Sequence, residues 1–195
     1  MRRRLFAQMV AACAAGASLR RLQAATLPRP AGSFEFVLPD GTKQNLTDYL
    51  GKVVCIEFLF TTCPHCQEAS RLLSRLHKEY GPRGFQPLGV AFNEGAMMLV
   101  PEFVRNFGVT YPVGVASRER VLSFLQYPPM ARIMVPQVAF LDRKGNVRVQ
   151  SSNGNDEHLH SEANLRKTIE ELLKENPPAS ARPATKAQPR ASAKK

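Results

Sequence analysis

The sequence predicts an α/β fold in three layers, a mixed central sheet with helices on both faces. Three observations predict it. The apolar run Val53-Val54-Cys55-Ile56-Glu57-Phe58-Leu59-Phe60, broken by one acid, has the pattern of a buried strand. A helix-patterned segment follows at once, and the alternation continues as strand, helix, strand, then a hairpin and a last helix. With 195 residues and 44% hydrophobic content, the chain can bury one good core but hardly two.

In chain order, Phe34-Glu35-Phe36-Val37-Leu38 alternates like a strand, and Pro39-Asp40-Gly41-Thr42 is a turn. Asn45 to Tyr49 opens with turn or capping residues and reads as a short helical turn leading into the central strand. The helix running to Tyr80 places Ala69, Leu72, Leu73, Leu76 and Tyr80 on one face, and Gly81-Pro82-Arg83-Gly84 ends it. Pro87 to Phe92 is the next strand, and its Asn93-Glu94-Gly95 end either lines the site or is simply a polar loop. Met97 to Phe107 reads as a second helix with Leu99, Val100, Phe103, Val104 and Phe107 inward, and its Met pair as packing rather than metal binding. Tyr111 to Val115 is a short strand and Arg118 to Gln126 a short helix, interrupted by Tyr127-Pro128-Pro129-Met130. That apolar loop is either a partner-docking lip or an ordinary connection. Gln137–Leu141 and Val147–Ser151 form a hairpin with Gly145 available for positive φ. Ser161 caps the final helix, Glu162 to Glu175, whose stripe is Leu165, Ile169, Leu172 and Leu173.

The net charge of +11 suggests a nucleic-acid binder until it is divided. Residues 1–30 carry six Arg and no acid, and residues 176–195 carry five Lys or Arg and no acid. The two ends thus account for the whole excess. The neutral middle removes the main support for a basic nucleic-acid face. Met1-Arg2-Arg3-Arg4, followed by the apolar, Ala-rich Leu5 to Leu19, has the form of an export signal. At about 15 residues that stretch is short for a membrane span, which needs about 20. Leu22-Gln23-Ala24 offers a cleavage site, Val10-Ala11-Ala12-Cys13 resembles a lipoprotein box that would lipidate Cys13, and the paired arginines hint at twin-arginine export. Residues 1–25 therefore read as signal peptide or membrane anchor, 26–33 as linker, and 34–175 as the domain. Residues 176–195 read as a disordered, basic, Pro/Ala-rich tail.

The chemistry sits in Cys63-Pro64-His65-Cys66. A Cys-x-x-Cys at the first turn of a helix that follows a buried strand is a redox pattern. Pro64 suits the first helical position, which puts Cys63 at the helix N-terminus, where free N–H groups and the helix dipole favour a thiolate. Cys66 lies about 5–6 Å away on the same face, within disulfide reach. Cys63 is then the attacking thiol and Cys66 the shielded, resolving one. Glu57 is expected to be buried, with a raised pKa, and able to relay a proton to or from Cys66. The other reading is a strand-end carboxylate in solvent. His65 either stabilises the Cys63 thiolate as an imidazolium or is a solvated histidine. Pro136, after Val135, is either a cis proline beside the site or an ordinary turn proline. Cys55 is most simply a small buried hydrophobe.

From about Phe34 to Leu173 the chain resembles the TlpA/ResA-like branch of the thioredoxin superfamily, extracytoplasmic thiol–disulfide oxidoreductases related to AhpC/TSA redoxins. The pieces that carry the resemblance are Phe36-Val37-Leu38-Pro39-Asp40-Gly41, Leu50-Gly51-Lys52-Val53-Val54, the Cys63–Cys66 motif, and Val135-Pro136 with Phe140-Leu141-Asp142-Arg143-Lys144-Gly145. The resemblance implies a thioredoxin-like fold, cycling of Cys63 and Cys66 between dithiol and disulfide, a cis Pro136 whose neighbouring backbone holds the partner peptide, and a buried acid at Glu57. The tetrapeptide itself is similar to that of DsbA, a strong oxidant. There are departures: Thr62 stands where a Trp is usual, and Ala69 where many ResA-like proteins carry Glu, with Glu68 one place earlier. Phe60 occupies the Thr position of the peroxiredoxin Thr-x-x-Cys pattern.

The expected function is thiol–disulfide exchange on protein thiols and disulfides outside the cytoplasmic membrane, as in cytochrome c maturation or envelope redox homeostasis. It uses no cofactor or metal, binds no nucleic acid, and works with an unknown redox partner. One alternative is a peroxiredoxin-like thiol peroxidase. Another is a non-enzymatic envelope metal-binding protein using Cys63, Cys66 and His65. A four-ligand zinc site lacks a second Cys-x-x-Cys, the spacing of His158 and His160 is wrong for a zinc finger, and haem attachment would need His where Gln67 stands.

Overall fold

A computed structural model of the chain describes residues 26–153 and 161–175. The expectations for the export signal, Cys13, His158, His160 and the basic tail lie outside these residues. The described strands are β1 (Arg29–Pro30), β2 (Glu35–Val37), β3 (Lys43–Asn45), β4 (Val53–Leu59), β5 (Phe85–Ala91), β6 (Val113–Val115), β7 (Gln137–Leu141) and β8 (Asn146–Gln150). The α-helices are α1 (Pro64–Tyr80), α2 (Ala96–Phe107), α3 (Arg118–Phe124) and α4 (Glu162–Lys174).

The strands form one sheet in the order β1-β8-β7-β4-β5-β6-β2-β3. β4 lies between β5, to which it is parallel, and β7, to which it is antiparallel, and every one of its residues is buried. A strand flanked on both edges and covered on both faces has no solvent side, which is why its sequence is a continuous apolar run. Because side chains alternate along a strand, Val53, Cys55 and Leu59 join one core face with Leu73 and Leu76 of α1, Val100 and Phe103 of α2, and Leu165 and Ile169 of α4. Val54, Ile56 and Phe58 face the other way, toward Phe34, Phe36, and Val121 and Phe124 of α3. There the Phe34, Phe58 and Phe124 rings meet with centroids 5.1–5.7 Å apart. Helices cover both faces of a mixed sheet, the three-layer α/β arrangement that the sequence predicts.

Local signals set several boundaries. Asn45 and Asp48 form a reciprocal capping box on the 3-10 turn Leu46–Tyr49. Ser161 caps α4 by accepting from the Asn164 N–H. The β7–β8 turn is closed by Asp142, whose Oδ1 accepts from the N–H groups of Lys144 and Asn146, with Gly145 at φ 80°.

The structure differs from expectation at three places. Arg29–Pro30, in the stretch read as linker, pairs with β8. The polar Lys43–Asn45, whose first two residues fall between the expected turn and the helical turn and in no assigned element, is a strand paired with β2. Neither short, polar segment carries a hydrophobic period, so only its pairing reveals it, with the far β8 for one and the neighbouring β2 for the other. The third correction is α2. The Met pair does not pack: Met97 is 41% and Met98 85% exposed, and Leu99 is 36% exposed instead of inward. The helix buries Ala96, Val100 and Phe103, and a residue one place off that stripe is turned about 100° away.

Gly114 of β6 is hemmed in by β2: a Cβ there would lie 2.6 Å from Phe36 Cδ2 and 2.7 Å from the Val37 carbonyl oxygen. Gly114→Ala is expected to lower stability by about 2–3 kcal/mol, because backbone must move to relieve the overlap. Urea unfolding measures this, with Gly41→Ala, in open space but at positive φ, as the comparison for backbone strain alone.

Candidate active site

β4 ends at Leu59, and the turn Phe60-Thr61-Thr62 delivers the chain to α1. That turn is braced from β5: Asn93 Oδ1 accepts the Thr61 N–H at 3.0 Å, and Asn93 Nδ2 donates to Thr61 Oγ1 at 3.1 Å. Gln67 of α1 donates to the Thr61 carbonyl at 3.2 Å, tying helix to turn. Cys63 is the N-cap residue, with extended backbone, and Pro64 takes the first helical position. The Cys63 sulfur is thereby set at the positive end of the α1 dipole, where unpaired N–H groups favour an anion.

Cys63 is partly exposed, whereas Cys66, one turn on, is fully buried. Burial pushes the Cys66 thiol far up from its ordinary value, and the nearby Glu57 charge and a hydrogen bond with Cys63 add to this. The Cys63 sulfur lies 3.9 Å from the Val135 carbonyl oxygen, and the Val135–Pro136 peptide is cis. The loop before it is held by Tyr127, whose hydroxyl donates to the Ser151 carbonyl at 2.8 Å. Arg118 donates to the Ala131 carbonyl at 2.6 Å and Gln137 to the Met134 carbonyl at 2.8 Å. Met130 and Met134 nonetheless stand 94% and 60% exposed on this loop. His65 is exposed in the first turn of α1.

Glu57 has no exposed surface at all. Burial raises its carboxyl to about 7, against the opposing pull of hydrogen bonds from Ser70 and Tyr111. Both hydroxyls donate to Oε2, Ser70 at 2.8 Å and Tyr111 at 3.1 Å. Among the described residues the buried Oε1 has no hydrogen-bond partner. The Glu57 charge in turn raises the thiols of Cys66 and Cys55, whose largest cause is burial in both cases. Cys55 is buried in the core face, as its place in the strand implies.

The structure therefore brings Cys63, Cys66, Glu57 and the Val135–Pro136 peptide to one end of the sheet, and leaves His65 on its surface. Sequence reasoning missed Ser70, Tyr111 and the Thr61–Asn93 brace. A signal for Ser70 was present: it follows Cys66 by four residues on the buried face of α1, a polar residue in an apolar stripe. Among the described residues no group of three or more His, Cys, Asp or Glu could hold a metal ion, and no helix is long and apolar enough to cross a membrane.

The redoxin family profile matches residues 24–169. The thiol-disulfide oxidoreductase ResA of Geobacillus thermodenitrificans is 30% identical over 116 residues, 58% of this chain and 63% of that protein. ResA of Bacillus subtilis is 26% identical over 133 residues, 67% of this chain and 71% of that one. The chain thus spans less than two thirds of the length of the Geobacillus relative. Among solved structures, a thiol:disulfide interchange protein of the thioredoxin family from Chlorobium tepidum superposes with a TM-score of 0.63 at 27% identity, over 77% of this chain and 99% of that one. The fold is thioredoxin-like.

Two outcomes are expected. In the folded, reduced protein at neutral pH, iodoacetamide modifies Cys63 more than about tenfold faster than Cys55 or Cys66, read by peptide mass spectrometry over time. The raised Glu57 carboxyl binds its proton more tightly in the folded than in the unfolded chain, so it costs stability as pH rises from its ordinary 4.5 to about 7. Across that window the wild type should lose about 3 kcal/mol relative to Glu57→Gln, and denaturant titrations at several pH values check it.

Proposed function

The chain belongs to the redoxin family, and from that premise we propose that it is a thiol–disulfide oxidoreductase acting on protein thiols and disulfides outside the cytoplasmic membrane. The observation that carries this reading is the contrast within one helical turn: a partly exposed sulfur at the N-terminus of α1 beside the Val135 carbonyl, and a fully buried sulfur behind it. In the reductive direction, the Cys63 thiolate attacks a substrate disulfide, one substrate sulfur leaves as a thiolate that takes a proton from water, and a mixed disulfide forms. Cys66 then gives up its proton and attacks the Cys63 sulfur. The second substrate sulfur is released and the Cys63–Cys66 disulfide forms, so the substrate gains two electrons that the protein loses. The oxidative direction is the reverse. Glu57 takes the Cys66 proton or returns it, and Pro136 with the Val135 carbonyl positions the partner chain.

The names of the ResA relatives and of the Chlorobium interchange protein support the activity. The basic start and apolar stretch within residues 1–25 support export or membrane anchoring, and the domain of 34–175, with Arg29–Pro30 adding an edge strand, and the 176–195 tail complete the proposed organisation. An oxidising compartment suits a persistent disulfide couple. Cytochrome c maturation or general envelope redox homeostasis is the setting.

The test is trapping. Cys66→Ser should accumulate a mixed disulfide through Cys63 with disulfide-bearing client proteins, and Cys63→Ser should exchange nothing. Exchange that survives Cys63→Ser would overturn the reading, and steady peroxide consumption with a thiol donor would replace it by a thiol peroxidase. Direction follows from the reduction potential of the couple against glutathione buffers: a value near about −120 mV marks an oxidase, and one near about −270 mV a reductase.

A further inference from the structure

A polar seam runs along the inward side of α1, from Cys66 through Ser70 and Ser74 to His77, at helical spacings of four, four and three. It faces the chain segment just before β6. Ser74 Oγ donates to the Ser70 carbonyl at 2.8 Å and accepts the Thr110 N–H at 3.3 Å. His77 Nδ1 lies 3.2 Å from Thr110 Oγ1, and its ring meets the Tyr111 ring edge-on at 6.4 Å. These ties fix Tyr111 against α1 with its hydroxyl on Glu57.

Both hydroxyls converge on one oxygen of Glu57, and the other oxygen is left unbonded. An oxygen that accepts two hydrogen bonds has its lone pairs engaged, whereas the free one is open to a proton. We propose that Tyr111 and Ser70 are positioning residues that hold Glu57 through Oε2 and so make Oε1 the atom that receives the Cys66 proton during disulfide resolution. This rests on the exchange reading above and assigns the proton of its second step. The balance is complete: the proton of the Cys66 thiol passes to Oε1 of the ionised Glu57, the Cys66 sulfur attacks the Cys63 sulfur, and the Cys63–substrate S–S bond breaks. The leaving thiolate takes its proton from water.

Among the described residues no cation offsets the Glu57 charge. Opposite it in register are Gly89 of β5 and Val138 of β7, neither titratable. α2 and α4 bring the apolar Val100, Phe103, Leu165 and Ile169 to the same core face. The titratable groups that feel Glu57 are Cys55 on its own strand, Cys66 on α1, and Tyr111. The two hydroxyls are thus the groups that favour the ionised carboxyl, working against burial.

The experiment loads Cys63 of the whole protein with 5-thio-2-nitrobenzoate and follows release of the yellow thiolate, at pH 5.5 to 9, as Cys66 attacks. In the wild type the rate should rise with pH through a midpoint near 7. Tyr111→Phe removes one donor to the ionised carboxyl and should move the midpoint up by about one pH unit. Ser70→Ala should move it the same way, and it serves on its own if Tyr111→Phe fails to fold. In both variants the pH profile of Cys63 alkylation should be that of the wild type, which a general disturbance of the core would not leave intact. A midpoint that neither variant moves, or one that persists in Glu57→Gln, would overturn the inference while leaving exchange in place. Release that is equally fast in Cys66→Ser would instead sink the exchange reading itself.

Discussion

A carboxyl group sealed inside the central strand is the constraint on which the site depends. Glu57 stands between two paired strands and beneath three helices, with two hydroxyls and, among the described residues, no cation to offset its charge. An ionised carboxylate in such a place is costly, and the group responds by holding its proton toward neutral pH. The same burial shields Cys66 and keeps it a thiol, so one low-polarity pocket sets the protonation of both groups. Cys63 escapes it only because α1 begins there and turns its N-terminus toward the surface. The chemical difference between the two sulfurs is therefore a difference of depth along a single helix.

Depth alone would leave the Cys63 sulfur free to wander. It is fixed from two sides by elements distant in the chain. The Thr61–Asn93 pair couples the end of β4 to the end of β5, and Gln67 fastens α1 to the same turn. Across the site, hydrogen bonds from Tyr127, Arg118 and Gln137 fasten the loop that carries Val135 and Pro136. Three segments that are separate in sequence are thus locked into one frame, holding the sulfur and the Val135 carbonyl 3.9 Å apart.

What could be read from the residues alone was what local pattern determines. The buried strand, the helix starting at Pro64, the capping residues Asn45 and Ser161, and the burial of Glu57 each follow from a few neighbouring side chains. The parts that could not be read depend on pairing or contact that the segment's own residues do not signal. Lys43–Asn45 is a strand only because Glu35–Val37 lies beside it, and Arg29–Pro30 only because β8 does. Tyr111 looked like an ordinary core residue of a short strand, since its hydroxyl has meaning only where β4 and α1 bring Glu57 and Ser70 to it. Leu99 failed differently: its type fits the core, but the start of α2 at Ala96 sets the helical phase and leaves it on the rim.

The two margins of the sheet have a consequence for the life of the protein in a crowded solution. At one end β1 is two residues long and contains Pro30, which has no N–H to offer a neighbour; at the other, β3 is three polar residues led by a well-exposed Lys43. Neither is an inviting template for a foreign strand, and burying the lysine against one would cost hydration. The described sheet is thereby guarded against polymerising with other chains through its own backbone.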